Sequence, residues 1–381
     1  MNLTINATCL ATDSATGIER FALHMCNELY RLDNTVDIVS FRPIPGLPST
    51  NTHFILNAAK KWFGKNEYYV RAVWDQTVFR SHIHQCKSDV VYFPIQDGML
   101  FPSVRQIVTI HDLHYLHFGE QIPECTSEIK PHRRILYRYK LPHILKTSAA
   151  IVAVSETTKR ELVATFEVDP EKIHVIYNGY DDTRFRVLDD PQSLLDPYGL
   201  QVGTYLLFVG SVLKHKNIVR LLRACAKFDG EVKLVMTGSC KDCEYYKEIM
   251  TMIEELQMPS NSITYLDYVP DTDLPALYNG AMALVLPSLH EGFGVPIIEA
   301  MACGTPVITS NCSAMPEIAG GAALLVDPYS VESIAAAIQE IMLNPQCADQ
   351  LRMAGFTRVE HFKWTNSARR LYELCKKVSM L

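Results

Sequence analysis

Ala283-Leu284-Val285-Leu286-Pro287-Ser288-Leu289-His290-Glu291-Gly292-Phe293-Gly294-Val295-Pro296-Ile297-Ile298-Glu299 runs from an apolar stretch, across a glycine-bearing loop, into the first turn of a helix. The run 283–286 is short, apolar and closed by proline, which reads as a strand buried on both faces. Pro296 suits the first turn of a helix over 297–303, and glycine on either side of Phe293 permits close backbone approach. The amides of Phe293, Gly294 and Val295 then open at a helix N-terminus, where unsatisfied donors attract hydroxyl or phosphate oxygens. Glu299 lies one turn further on. A carboxylate accepts from two vicinal hydroxyls, so Glu299 reads as a ribose clamp. Glu291, at the mouth of the loop, is placed to meet sugar hydroxyls and to set negative charge beside an anomeric carbon. The plainer alternative is that both glutamates merely flank a helix start.

The same strand–helix alternation extends in both directions. Short apolar or β-branched runs recur at 205–209, 233–237, 263–266, 306–309 and 323–326, and an earlier series stands at 3–7, 36–41, 90–93, 107–110, 150–154 and 173–177. Strands alternating with helices predict an α/β protein whose parallel sheets are covered on both faces. Two series predict two doubly wound domains, 1–185 and 186–364, joined through a hinge at 181–203 that is rich in Asp, Pro and Gly. A last helix over 365–378 has Ala368, Leu371, Tyr372 and Cys375 at helical spacing, and the segment 365–381 is assigned to the first domain. Ligands of such sheets bind beyond the carboxyl ends of the strands, so chemistry is expected in loops that follow strands.

With 381 residues, 48% hydrophobic and 20% charged, the chain can bury two cores. A formal charge of -6 gives no basic footprint for nucleic acid. The 11 cysteines show no framework spacing and residues 1–10 carry no signal-peptide pattern, which points to a reducing, cytoplasmic setting. Its apolar runs fall well short of the roughly 20 residues needed to span a bilayer.

Further motifs follow predicted strands. Phe208-Val209-Gly210-Ser211-Val212-Leu213-Lys214-His215-Lys216-Asn217 places cations after a glycine turn, where they would meet a diphosphate. Val108-Thr109-Ile110-His111-Asp112-Leu113 delivers a histidine to the end of a strand, able to donate to phosphate or a sugar hydroxyl, with Asp112 fixing its tautomer. Gly17 lies between the first strand and a helix over 18–32, again a place where backbone approaches phosphate. Asp271-Thr272-Asp273 has the spelling of a metal-binding pair of acids but precedes an apolar helix, so it reads as an N-cap. Cys240-Lys241-Asp242-Cys243 is a single pair, two ligands short of a zinc site. No metal or other cofactor is expected. The segment 129–146 holds Lys130, Arg133, Arg134, Arg138, Lys140 and Lys146 against no acid, suited to anionic lipid or simply to solvent.

The stretch from Glu291 to Glu299 resembles the E-x7-E signature of retaining glycosyltransferase family 4. Ala15-Thr16-Gly17-Ile18-Glu19-Arg20 is similar to that family's first glycine loop, Val154-Ser155-Glu156 to its sheet-end serine, and Val175-Ile176-Tyr177-Asn178-Gly179 to its pre-hinge turn. The resemblance covers essentially the whole chain. It implies a GT-B fold, two Rossmann-like domains facing across a cleft, with a nucleotide sugar held mainly by the second and the acceptor by the first. It further implies that Lys216 neutralises the leaving diphosphate, that His111 contacts the donor, and that Asp271 lies by the base and accepts from guanine. Family members often carry arginine directly after the glycine where this chain has Ser211, and Lys214 or His215 is expected to supply that charge. The pattern looks most like bacterial O-antigen or capsule mannosyltransferases using GDP-mannose and a lipid-linked acceptor at the inner membrane face. UDP-sugar users share the frame. A dehydrogenase is disfavoured because no G-x-G-x-x-G follows the first strand. A non-catalytic sugar-nucleotide binder remains the alternative outside enzymes.

Overall fold

A computed structural model of the chain describes residues 1–10, 17–48, 52–54, 67–117, 122, 125, 131–240, 242–259 and 261–381. For 52–54, 67–70, 72, 115, 117 and 131–136 the backbone alone is described. Ala15, Thr16, Lys130 and the side chains of Arg133 and Arg134 therefore lie outside the described residues.

Two compact units emerge. One is formed by Met1–Leu116, Pro131–Gly179 and Trp364–Leu381, the other around Tyr180–Lys363. In the first, the described strands are β1 (Leu3–Asn6), β2 (Asp37–Ser40), β3 (Thr52–Phe54), β4 (Val90–Phe93), β5 (Arg105–Ile110), β6 (Ala150–Ala153) and β7 (Ile173–Val175). They make a parallel sheet in the order β3-β2-β1-β4-β5-β6-β7. In the second, β8 (Tyr205–Val209), β9 (Lys233–Thr237), β10 (Ile263–Tyr265), β11 (Ala283–Leu286), β12 (Val307–Ser310) and β13 (Leu324–Val326) form a parallel sheet ordered β10-β9-β8-β11-β12-β13. Every predicted run is a strand. The one addition is β3, whose Thr-His-Phe sequence at a sheet edge is too short and too mixed to stand out.

Central strands are buried along their whole length, as at β1, β4, β6 and β11, because helices cover both faces of a parallel sheet. Val91, Phe93, Val108, Ile110, Ile144, Ile151 and Leu162 belong to one core cluster of the first unit. Each such side chain contributes about 1.5–3 kcal/mol on burial. Both sheets reverse strand order beside their first strand, between β1 and β4 and between β8 and β11, and the crevice beyond the carboxyl ends at such a reversal is where α/β sheets bind ligands.

The chain leaves the first unit after Gly179 and returns to it at Trp364. A Cβ on Gly179 would lie 2.5 Å from the Trp364 amide nitrogen, so only glycine lets the two crossing segments touch. The returning helix Trp364–Ser379 packs on the helix Gly17–Leu32: Trp364 stacks on His24 at 5.1 Å, and the Tyr372 hydroxyl donates to Asp33 at 2.6 Å. The hinge expected at 181–203 is instead an ordered part of the second unit. Phe185, Leu195 and Leu200 are buried there, and Phe185 meets Tyr278 edge-on. Its Asp and Pro residues start short helical turns at Gln192–Leu195 and Asp196–Tyr198.

Candidate active site

At the strand-order reversal of the second unit, the loops that follow β8 and β11 are locked together. The first begins at Gly210, whose amide donates to Thr237 O at 2.9 Å, while Val212 N donates to Ser239 O at 3.1 Å. This contact with the loop after β9 depends on Gly238: its φ is +138°, and a Cβ there would fall 2.1 Å from Gly210 O. One tight turn, Lys214–Lys216, then brings the chain to Asn217, which is left-handed at φ +63°. Buried Asn217 donates through Nδ2 to Pro287 O at 2.9 Å and to Pro328 O at 2.7 Å. Leu289 N donates to His215 O at 2.7 Å.

This lacing sets Lys216 against Glu291. Lys216 Nζ donates to Glu291 Oε1 at 2.6 Å, and the Ser288 hydroxyl donates to the same oxygen at 2.7 Å. Ser313 completes the support, donating to Glu291 O at 2.6 Å and accepting from its amide at 3.2 Å. Burial by itself would raise the Glu291 pKa. The Lys216 ammonium, the nearby His215 and the two side-chain hydrogen bonds outweigh it and hold the carboxyl below its usual value. The arrangement is an ionised carboxylate and an ammonium side by side beyond the carboxyl ends of β8 and β11, able to present negative charge to a sugar and positive charge to a phosphate.

Beyond Glu291, the helix runs Val295–Ala302 with Pro296 in its first turn, and Gly294 caps it at φ +94°. A side chain at Gly294 would also press on Ile297 Cδ1 at 3.0 Å. In its first turn Pro296 has no amide hydrogen and Ile297 N donates back to Gly294 O at 2.9 Å. Phe293 contributes backbone to this entrance while its ring is core, edge-on to Phe362 at 5.7 Å. Glu299 sits one turn inside and is only 5% exposed. Its Oε2 accepts from the Tyr278 hydroxyl at 2.8 Å. The tyrosine thereby anchors one oxygen of the carboxylate.

Other expected residues are placed differently. Lys214 turns to Glu248 at 3.6 Å, a half-exposed pair on the adjoining helix Cys243–Glu255, so its charge is shared with that acid before it can stand in for arginine at Ser211. Asp271 pairs with Arg184 at 3.4 Å. The residue before the helix Leu274–Gly280 is Asp273, and it makes no side-chain capping bond; it accepts instead from Tyr198 at 2.6 Å and Thr272 at 2.8 Å. Asp273 thus holds the expected N-cap position, but its carboxylate serves the tyrosine hydroxyl instead of the helix amides. Cys240 and Cys243 are exposed at the loop after β9.

In the first unit, Gly17 is itself the first residue of the helix Gly17–Leu32, and a Cβ there would meet no atom within 4 Å. His111 is buried at the end of β5, with Nε2 at 2.9 Å from Pro94 O and its ring edge-on to Phe21 at 4.8 Å. A carbonyl only accepts, so Nε2 carries the proton and Pro94, not Asp112, fixes the tautomer. Asp112 is engaged by His114. Burial lowers the His111 pKa against the opposing pull of Pro94 and Asp112. The neutral ring therefore offers Nδ1 as an acceptor suited to a sugar hydroxyl, rather than as a donor to phosphate. Ser155 caps the helix Glu156–Phe166, accepting from Thr158 N.

Sequence reasoning missed a charged cluster at the β1/β4 reversal of this unit. Asp97 is held by Lys140 at 2.9 Å and Arg71 at 3.1 Å, and buried Asp75 accepts from Asn6 at 2.7 Å. Lys140 thus points inward, away from the basic face expected of its helix. Burial and the Asp97 charge push Asp75 up to about 7. A raised carboxyl pKa means the folded state keeps a proton that the unfolded chain releases near its ordinary pKa of about 4, so stability falls as pH rises from about 4 to about 7. Asp75→Asn keeps the acceptor for Asn6 and should remove that slope, raising Tm at pH 8 by a few degrees. A Tm–pH curve parallel to that of the parent protein would reject the assignment.

No helix among the described residues is long and apolar enough to cross a membrane. The sequence profile of Glycosyltransferase Family 4 matches residues 15–184, and that of Glycosyl transferases group 1 matches residues 201–358. The O-antigen chain mannosyltransferase B of Escherichia coli is 31% identical over 275 residues, covering 69% of this chain and 68% of that protein. The O-antigen chain mannosyltransferase RfbU of Salmonella typhimurium is 30% identical, and the match spans 64% of this chain and 63% of that one, slightly less than two thirds of its length. Among solved structures, sucrose-phosphate synthase from Thermosynechococcus elongatus matches with a TM-score of 0.77 at 20% identity, over 99% and 98% of the two chains. With paired sheets of this topology and an E-x7-E segment at the second reversal, the chain belongs to glycosyltransferase family 4, has the GT-B fold, and is a relative of O-antigen mannosyltransferases.

Proposed function

We propose that this glycosyltransferase moves mannose from GDP-mannose, with retention of configuration, to a lipid-linked or oligosaccharide acceptor in bacterial surface polysaccharide synthesis. The observation that carries the reading is the Lys216–Glu291 pair at the strand-order reversal. When the donor enters, Lys216 meets its diphosphate and stabilises the charge that develops there on departure, the effect that usually dominates such catalysis. Glu291 and His111 orient the sugar, and Glu299, anchored by Tyr278, accepts from the ribose. Among the described residues none is placed as a covalent nucleophile by these observations, which favours front-face displacement. The bond from C1 to the phosphate oxygen breaks as the bond to the acceptor oxygen forms, and the acceptor proton passes to the leaving phosphate. Lysine charge in place of a metal makes the reaction metal-independent.

Support for the mannosyl donor is the relationship to O-antigen mannosyltransferases; UDP-sugar transfer is the competing outcome. A thermal-shift panel of GDP-, UDP-, ADP- and dTDP-sugars separates them, because selective binding raises apparent stability. A selective shift with GDP-mannose, followed by mannosyl transfer or donor hydrolysis in the presence of chelator, is expected. A selective shift with a UDP-sugar overturns the donor assignment, and loss of turnover on chelation overturns metal independence. Binding without any turnover leaves a sugar-nucleotide-binding protein, a reading favoured by Ser211 and by the engagement of Lys214 with Glu248.

The acceptor reading implies contact with anionic lipid through the helix Pro131–Thr147, on which Arg138 and Tyr139 are exposed while Leu141, Ile144 and Leu145 face the core. Changing Arg133, Arg134 and Arg138 together to Ser should cut sedimentation with anionic liposomes severalfold, at about 1 kcal/mol per basic residue near such a surface. An unchanged bound fraction rejects the contact.

A further inference from the structure

At the amino-terminal edge of the first sheet, opposite to the loops that follow its strands, three side chains of different chemistry turn their ligand atoms toward one point. Asp37 opens β2. His82 and Cys86 stand one turn apart at the end of the helix Val78–Gln85, with Cys86 as its C-cap. His82 Nε2 lies 2.8 Å from Asp37 Oδ2 and 3.4 Å from Cys86 Sγ, and the three ligand atoms all fall within 4.8 Å of one another. Thr4 Oγ1 donates to the same Asp37 oxygen at 3.0 Å. Since Thr4 spends its hydrogen there, its 2.7 Å contact with Ser88 is donated by Ser88. The carboxylate is thereby oriented by a relay from the neighbouring strand.

An aspartate–histidine pair accounts for two of these groups. The Cys86 thiol joins it, lying 3.4 Å from His82 Nε2 and hydrogen-bonding to Asp37 as well, so that three potential ligands crowd one point. A divalent cation reconciles all three. Tetrahedral zinc, about 2.0–2.2 Å from nitrogen and oxygen and about 2.3 Å from sulfur, holds N and S about 3.5 Å apart and N and O about 3.3 Å apart. The nitrogen–sulfur separation already agrees to about 0.1 Å, and the nitrogen–oxygen pair needs to open by about 0.5 Å. We propose that Asp37, His82 and Cys86 form a binding site for a divalent transition cation of the zinc class. Imidazole, thiolate and carboxylate together suit that class rather than magnesium or calcium, which prefer oxygen alone. Water fills the fourth position, and binding expels the Cys86 thiol proton to solvent. The Asp37 and His82 side chains are 17% and 13% exposed, enough for a cation to enter from outside. Standing at the sheet edge away from the transfer machinery, the ion would tie the start of β2 to the end of a helix and stabilise the first unit.

Cobalt(II) titration tests this with the full chain. Exposed Cys240 and Cys243 also attract soft metals, so the parent protein carries Cys240→Ser and Cys243→Ser. One equivalent of cobalt should produce a near-ultraviolet thiolate-to-metal band with visible ligand-field bands, and zinc should displace it. Cys86→Ser should lose the near-ultraviolet band, while Asp37→Asn and His82→Gln should weaken cobalt binding by at least about tenfold. Zinc should raise the parent Tm and leave that of Cys86→Ser unmoved. The parent titration is decisive even where a variant folds poorly: no thiolate band at micromolar cobalt overturns the site, and so does an identical band in folded Cys86→Ser.

Discussion

Lys216→Met is expected to lower kcat/KM for transfer by about 100- to 1000-fold, the usual effect of removing one preorganised group that stabilises a departing oxyanion. The same change should destabilise the protein. With Lys216 gone, Glu291 keeps the burial that raises its pKa and loses the largest influence that lowers it. Breaking a fully buried pair costs about 3–5 kcal/mol; at 14% and 12% side-chain exposure the figure here is nearer to about 2. The sign with pH follows. In the parent protein the folded pKa of Glu291 is depressed, so its contribution is present above the unfolded pKa and is lost as pH falls through the folded one. In Lys216→Met that contribution vanishes or reverses. Adding Glu291→Gln removes the stranded charge and should recover most of the lost Tm without recovering activity. A double-variant Tm loss equal to the sum of the two single losses would show that the two side chains are energetically independent, and an unaltered kcat/KM in Lys216→Met would remove the lysine from catalysis.

Glu299→Gln should separate gripping a substrate from supporting a core. The amide oxygen still accepts from the Tyr278 hydroxyl, so stability should change by less than about 1 kcal/mol. Losing both charged hydrogen bonds to a ribose costs about 3–6 kcal/mol, or about a 150- to 25,000-fold fall in kcat/KM. Tyr278→Phe supplies the control: it frees the carboxylate of its anchor without touching the donor, and should give a smaller activity loss with a larger share in KM. Should Glu299→Gln retain full kcat/KM, the carboxylate only braces its own unit, as its burial against Tyr278 alone would suggest.

The parallel sheets were legible because buried strands such as 90–93, 205–209 and 283–286 are unbroken apolar runs, a pattern set by helices covering both faces. Glu291, Lys216 and the glycine entrance at Gly294 were legible because each follows a strand directly. Asn217 was visible within its motif but its role was not: two carbonyl acceptors, Pro287 and Pro328, come from loops far along the chain. Gly238 escaped for the same reason, since its necessity lies in Gly210 O pressing from another loop. In the Asp75, Asp97, Arg71 and Lys140 cluster only Arg71 and Asp75 share a helix, four residues apart. It is assembled by tertiary contact, and only burial and charge reveal it. The segment 181–203 shows the converse: its Asp and Pro residues suggest a break in structure, whereas buried Phe185, Leu195 and Leu200 secure it to the second unit.

The return of Trp364–Ser379 to pack on Gly17–Leu32 bears on how the nascent polypeptide matures. The helix Gly17–Leu32 leaves the ribosome long before the helix Trp364–Ser379 that covers it. At about 5–20 residues per second, the early segment waits roughly 15 to 70 seconds with the Phe21, His24 and Asp33 side of its first helix bare. Vectorial synthesis therefore delivers an incomplete amino-terminal half, a natural client for chaperones, and premature termination before residue 364 would release it with that side of its first helix uncovered.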